Sequence, residues 1–382
     1  MNSTLEDTCL DNSVIQNCVC SIFNRQDIKI KKWEMSALSC RSMNFTTGGV
    51  YRVQGTAIVD AQEMHWSTIL KIIKQESEEK NNIQHHNYWK REIMVNKSGI
   101  LNSIPKNINT PKCYWIEEIS NGVAMLFMEE INGNNHSNWS KEDLMFIAKQ
   151  LGEYQGMYVT GHQQLPDHEW LCKQWLWSWV KGCMKYASDP SVSYPVIKGK
   201  SDRVDRIWKM YTYLSGNSNK HFQVLSNLPR VLAHQDLSKQ NIFLDKDTEG
   251  NKTLTLIDWQ FLSISGLGED LGKLFGVAMS QGDIPIETAW EVQELVYNCY
   301  KDGLKDVGWT GDSTLARYGF CVSVAFRSTW EVPKLLNSLA NYDFNGDKEE
   351  DSKINNLIQT VEIQLKLAVE AEGIITRGLL RH

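Results

Sequence analysis

Between Val231 and Asp258 the chain runs Val-Leu-Ala-His-Gln-Asp-Leu-Ser-Lys-Gln-Asn-Ile-Phe-Leu and then, past a polar stretch, Leu-Thr-Leu-Ile-Asp-Trp. Two short β-forming runs, Ile242 to Leu244 and Leu254 to Ile257, flank Asp245 to Lys252, which is dense in turn formers, so the pattern predicts a hairpin. Asn241 enters that hairpin at its base and Asp258 leaves it at the same end. The two side chains should finish close enough to share a cation. Asp236 precedes them on a loop, where it can face a substrate.

Taken singly, each residue has an ordinary structural use: Asp236 as a loop or cap residue, Asn241 as a turn former, Asp258 as a strand-end turn carboxylate. Together and in this order they supply what phosphoryl transfer needs. One carboxylate orients the attacking hydroxyl; an amide oxygen and a second carboxylate hold magnesium against nucleotide phosphates. His234 fits a scaffold role, bracing the loop from below.

The string His234-x-Asp236-x4-Asn241, followed by Ile-Asp258-Trp, resembles the small-molecule kinases of the aminoglycoside phosphotransferase and choline kinase superfamily. That resemblance implies an α+β, bilobal protein-kinase-like fold, with a small antiparallel-sheet N-lobe and a larger helical C-lobe. It also implies ATP, or GTP, as donor, Mg2+ as cofactor and a small-molecule hydroxyl as acceptor, such as an aminoglycoside-like antibiotic, an amino alcohol or a sugar. The chain departs from protein kinases in reading His-Gln-Asp for His-Arg-Asp and Asp-Trp-Gln for Asp-Phe-Gly, and no Ala-Pro-Glu follows. Gln260 stands where many relatives carry an acidic residue. A protein kinase and a nucleotide-binding pseudokinase are the competing readings.

Upstream, Leu5, Cys9, Val14, Ile15, Cys18 and Ile22 predict a helix over 4–22. Strands are expected over 36–45, 50–59 and 64–73. Gly48 and Gly49 sit where a phosphate-covering turn would lie, since glycine lets backbone N–H groups approach an anion. Lys71 is a charge inside a β-branched strand, where lysine is depleted, so it needs a solvent-facing side or an anionic partner. By the resemblance, Lys71 holds nucleotide phosphates and pairs with a glutamate from the next helix, expected over 86–97, with Glu92 chosen among its apolar neighbours. A hairpin over 112–118 and 123–128 leads to Glu129-Glu-Ile-Asn-Gly. By the same resemblance this is the hinge that meets adenine through the backbone of Glu129 and Ile131, with Met128 at the back of the pocket.

From about residue 138 the pattern turns helical. Ser140-x-x-Asp143 is a capping box opening a helix to about 159. A tryptophan-rich helix over 169–186 reads as core, although an aromatic face can also attract ammonium groups. Helices are expected over 201–215 and near 285–301, 313–340 and 352–372. Asp270 opens the helix after the metal segment; it is favoured there by the helix dipole, and in relatives that position braces the catalytic loop. The lobes are expected over 1–128 and 129–382. The stretch from Asp343 lacks the glycine and the twelfth-position glutamate of a calcium loop.

Composition narrows the partners. A formal net charge of −6 over 382 residues gives no basic excess for nucleic acid. The first residues lack the apolar stretch of a leader, and no apolar run is long enough for a membrane span, so the cytoplasm is the expected location. Cys18-Val-Cys20 is too tight for a zinc knuckle and reads as buried thiols. Asn44-Phe-Thr and Asn138-Trp-Ser carry no meaning without secretion.

Overall fold

The computed structural model describes residues 10–38, 46–119, 122–131, 139–342 and 348–378. The strand portion expected over 39–45, the Asn44 and Asn138 triplets and the start of the Asp343 stretch lie outside them.

The chain begins with helix α1 (Asn12–Phe23), whose N-cap Asp11 accepts from the Ser13 N–H. Strands β1 (Lys29–Ala37), β2 (Thr47–Val59) and β3 (Gln62–Lys74) follow, then helix α2 (Arg91–Ser98), β4 (Cys113–Ile119) and β5 (Val123–Met128). The five strands form one antiparallel sheet in the order β1-β2-β3-β5-β4. The first strand therefore lies earlier than the 36–45 run expected for it. It is a sheet edge whose exposed positions include Lys29, Lys31, Lys32 and Glu34, and charge on an edge blocks pairing with other chains while hiding the strand from an apolar-pattern search. The β2–β3 turn is tight: Asp60 and Ala61 both take positive φ (48° and 63°), as a primed two-residue hairpin loop requires.

The remaining chain is mostly helical. α3 (Lys141–Val159) opens with the complete Ser140/Asp143 capping box. α4 (Trp175–Tyr186) starts later than the expected 169, because Cys172 forms a bridge with Ser263 instead of joining the helix. α5 (Pro190–Ile197), α6 (Asp202–Gly216) and α7 (Ser218–Ser226) precede β6 (Arg230–Ala233), the hairpin β7 (Ile242–Lys246) and β8 (Lys252–Leu256), and β9 (Ser263–Gly266), which pairs with β6. α8 (Glu269–Gln281), α9 (Ala289–Asp306), α10 (Ser313–Ala325), α11 (Ser328–Asn341) and α12 (Lys348–Thr376) complete the fold. The single helix expected over 313–340 is two helices. They join at Phe326-Arg327 through short-range bonds from Thr329 N–H to Phe326 C=O and from Trp330 N–H to Arg327 C=O.

The largest hydrophobic core belongs to the helical lobe and includes Leu151, Tyr154, Leu232, Trp259, Leu271 and Phe320. α3 and α9 cross at glycine: a Cβ on Gly152 would fall 2.1 Å from the Tyr300 carbonyl oxygen. The sheet lobe has two smaller cores. Leu70 and Ile72 of β3 pack toward α1 with Ile15 and Val19. Ile73 packs on the opposite side with Trp89 and Ile93 of the α2 region. Since side chains alternate along a strand, Lys71 shares the Ile73 face and is aimed at α2.

Candidate active site

Lys71 is 5% exposed and holds two carboxylates at once: Glu92 Oε2 at 2.7 Å and Asp258 Oδ1 at 2.8 Å. Glu92 comes from the first turn of α2 and Asp258 from the end of the β7–β8 hairpin, so the contact joins three distant parts of the chain. Burial works against the lysine charge, but the Asp258 and Glu92 carboxylates outweigh it and hold the Lys71 pKa above its ordinary value. Burial pushes Glu92 up, to about 7, with the lysine opposing. Removing one member of such a buried set costs about 3–5 kcal/mol, because the remaining charge loses its partner.

The hairpin meets its expectation geometrically. Ile242 pairs with Leu256, and the Ile257 N–H donates to the Asn241 carbonyl at 3.0 Å, bringing the two ends of the hairpin together. Asn241 Nδ2 donates to Asp236 Oδ2 at 2.9 Å and to the Asp236 carbonyl at 3.0 Å. Asp258 takes left-handed φ and ψ (62° and 68°), a conformation that aspartate tolerates better than most residues.

The loop around Asp236 is held from beneath. Asp270 is buried; its Oδ2 accepts from the His234 N–H at 2.8 Å and its Oδ1 from the Gln235 N–H at 2.9 Å. Those bonds secure Gln235, whose φ of 61° costs about 1–2 kcal/mol for a residue with a Cβ. Gln155 links the brace deeper into the core, donating to Asp270 at 3.3 Å and accepting from the Tyr300 hydroxyl at 2.6 Å. His234 Nδ1 accepts from the Asp236 N–H at 3.1 Å and its Nε2 faces the Ile257 carbonyl at 2.9 Å. That pattern requires the neutral, Nε2-protonated ring, and burial lowers the His234 pKa accordingly. Asp236 itself is raised by burial to about 6, with Lys273 opposing and Asp258 adding to the rise.

The remaining expected residues sit around this centre. Gly48 and Gly49 begin β2 instead of forming a turn, and Gly49 pairs with Ile72, one step from the Val50–Lys71 pair. Glycine suits this position: Gly49 takes a φ of 157°, and a Cβ there would meet the Tyr51 ring. Met128 ends β5 opposite Ile69, and its carbonyl accepts from Thr68 Oγ1 at 2.7 Å. Glu129 and Ile131 lie just past the strand, with the Glu129 N–H donating to the Lys112 carbonyl at 2.8 Å. Gln260 is buried.

A divalent ion fits the donor chemistry here. The Asn241 amide nitrogen is directed at Asp236, which leaves its amide oxygen as a ligand, and one Asp258 oxygen is engaged by Lys71. Two protein oxygens suit magnesium, which keeps waters and phosphate oxygens for its other positions. Among the described residues no group of three or more His, Cys, Asp or Glu side chains could hold a metal by itself.

Three residues near the centre escaped the sequence reading. Arg91, fully buried, donates to the carbonyls of Ile83, His85, His86 and Trp170. Lys273 on α8 places Nζ 3.9 Å from Asp236 Oδ1 and lies over the rings of Trp175 and Trp179. Arg327, between α10 and α11, reaches the Trp179 ring as well. One signal was available: Lys273 interrupts a run of α8 residues that are otherwise apolar or glycine and buried.

A model of the ecdysteroid kinase-like family matches residues 43–284, more than half of the chain, including Lys71, Glu92, His234, Asp236, Asn241, Asp258 and Asp270. The chain belongs to the ecdysteroid kinase-like family. This ecdysteroid kinase-like chain is thereby placed among small-molecule kinases, in agreement with the resemblance carried by its His234–Asp236–Asn241 and Asp258 motifs. No curated protein matches it in sequence. Among solved structures it is similar to an amicoumacin kinase in complex with AMP-PNP, Ca2+ and amicoumacin, at 14% identity and a TM-score of 0.52, over 96% of each chain. It also aligns with a Plasmodium vivax ethanolamine kinase (16% identity, TM-score 0.44, 87% of this chain and 81% of that one) and with an aminoglycoside phosphotransferase from Streptomyces rimosus (14%, 0.44, 84% and 100%). At 14% identity the likeness to the amicoumacin kinase is one of fold: α+β, bilobal and protein-kinase-like.

Proposed function

We propose that this protein transfers the γ-phosphoryl group of ATP, or of GTP, to a hydroxyl of a small molecule, with Mg2+. One observation carries the reading. A buried lysine–glutamate pair from the sheet lobe and the Asp236–Asn241 pair of the helical lobe meet at Asp258 or beside it, in the same centre. In this reading the division into lobes falls near residues 128 and 129.

Each residue then has a physical task. Lys71, fixed by Glu92, steadies the α- and β-phosphates. Gly48 and Gly49 let the β2 backbone approach the phosphates, while Met128, Glu129 and Ile131 border the base. Asn241 and Asp258 hold the magnesium, which when bound offsets the charge of the phosphates. Asp236 accepts a hydrogen bond from the acceptor hydroxyl and takes its proton as the new P–O bond forms. Its elevated pKa suits a group that must take up a proton. His234 and Asp270 keep the Asp236 loop in place without touching substrate. Such a site accelerates transfer through alignment and fixed charge.

The family name puts ecdysteroids first among acceptors to test, with amicoumacin, the ligand of the structural relative, next. The experiment is a coupled assay of ADP release from MgATP, or of GDP release from MgGTP, with the purified chain and a panel of hydroxylated metabolites and antibiotics. Acceptor-dependent release of the nucleoside diphosphate that disappears in Asp236→Asn supports the reading. Nucleotide binding without transfer to any acceptor, or transfer to generic protein substrates, would replace it with a pseudokinase or a protein kinase.

A further inference from the structure

Lys273, beside Asp236, and Arg327, near enough for the Asp236 charge to act on it, have no part in the donor chemistry above. Lys273 Nζ stands 3.9 Å from Asp236 Oδ1, beyond hydrogen-bond reach, although its side chain is only 11% exposed. Arg327 is 14% exposed, meets Glu331 at 3.8 Å, and its buried Nε has no acceptor among the described residues. The arginine stem lies against α8 where a Cβ on Gly276 would fall 2.4 Å from it, so a side chain there would displace the arginine. A buried donor without an acceptor costs about 1–3 kcal/mol, and more when charged. Arg327 Nε is such a donor, and Lys273 is an ammonium group that stops short of its carboxylate; together they suggest a binding partner that brings an acceptor to them.

The surrounding aromatic rings indicate what that partner is not. Lys273 Nζ lies 5.2 Å from the Trp175 ring centroid and 5.8 Å from that of Trp179, and the Arg327 guanidinium lies 6.0 Å from the latter. The two indoles stack with an interplanar angle of 13°. Aromatic faces that could attract an ammonium group are therefore already occupied by the protein's own cations. A second ammonium ion brought to Asp236 would meet like charge. An oxygen lone pair would complete the hydrogen bonding of Lys273 and Arg327 while the indoles flank a ring or an apolar face.

We propose that Lys273 and Arg327 determine acceptor specificity, and that they select an alcohol bearing a hydrogen-bond-accepting oxygen, carbonyl or carboxylate, near the reacting hydroxyl, and reject ammonium alcohols. The proposal rests on the kinase reading for the position of that hydroxyl at Asp236. Trp179, half-buried beside both cations, provides a binding signal that needs no turnover.

The test uses three matched cyclohexanols that differ only in the 4-substituent: ketone, carboxylate or ammonium. Binding to the full chain, saturated with a non-hydrolysable ATP analogue, is followed by tryptophan fluorescence. The ketone and the carboxylate are expected to bind at least tenfold more tightly than the ammonium probe; comparing the two separates hydrogen bonding from net charge. In Lys273→Gln that preference should fall at least tenfold, and Lys273→Glu should favour the ammonium probe. Nucleotide affinity, measured separately, should stay unchanged in both variants. Equal binding of all three probes, binding of none, tighter binding of the ammonium probe, or an unchanged preference in folded Lys273→Gln would overturn the proposal. Because no readout depends on catalysis, an inactive protein with the expected preference would count against the kinase reading alone.

Discussion

In the proposed reading, the donor and acceptor ends of the site treat charge differently. At the donor end, Lys71 is closed on both sides by Glu92 and Asp258 at ion-pair distance, so each charge is met within the protein. At the acceptor end, Lys273 stops 3.9 Å short of Asp236 Oδ1, and the buried Arg327 Nε has no acceptor among the described residues. A nucleotide presents the same phosphates at every turnover, and a pre-assembled set of charges can serve it without rearrangement. In the proposed reading, the acceptor end is completed by the molecule that brings the hydroxyl, so one end suits a constant ligand and the other a selected one.

The largest effect should follow damage to the donor end. Asp258→Asn, which keeps a side chain that accepts the left-handed backbone, should lower turnover by on the order of 10³-fold and remove the magnesium dependence of nucleotide binding. Asp236→Asn should reduce transfer by roughly 10²–10³-fold while nucleotide affinity stays within about twofold in an equilibrium assay. If Asp236→Asn weakened nucleotide binding as much as Asp258→Asn does, the two ends would not be separable. Glu92→Gln leaves Lys71 with Asp258 as its partner, so kcat should fall by about tenfold, equivalent to about 1.4 kcal/mol. A smaller loss would mean that Asp258 alone positions the lysine.

The smallest effect concerns stability near the acceptor end. Glu269 opens α8, is buried, and accepts from the Gly266 N–H. Burial raises its pKa from 4.5 to about 7. The folded chain therefore keeps this proton up to about pH 7, whereas the unfolded chain releases it near 4.5. The folded state gains below pH 4.5 and loses that gain as pH rises through 7. Glu269→Gln should be more stable than the parent at pH 8, by about 1–2 kcal/mol, and equal to it at pH 4.5. Thermal unfolding at the two pH values checks this; a variant less stable at pH 8 would show that the carboxylate is held charged by Arg230.

What could be read before the structure was known was local or separated by one predictable turn. Asn241 and Asp258 flank a hairpin whose ends must meet, and Lys71, a charge in a β-branched strand, needed solvent or an anionic partner, the helix glutamate being what the family resemblance implied. Ser140 and Asp143 announce a helix start within four residues. Other features depend on what tertiary packing brings together. Arg327, Lys273, Trp175 and Trp179 meet from three segments with no shared motif, and Gly276 leaves space for Arg327 without marking whose side chain fills it. β1 was displaced because its charged edge face breaks the apolar pattern on which strand reading relies.

Arg91 has a consequence for control. It ties the turn at Ile83–His86 to the Trp170 carbonyl of the helical lobe, and Glu92 is the very next residue. Swinging α2 outward with its preceding turn, the movement that would part glutamate from lysine, requires pulling the guanidinium off the Trp170 carbonyl in a buried setting. In the proposed kinase reading, that resistance favours a Lys71–Glu92 pair kept closed between turnovers, with control left to the supply of acceptor.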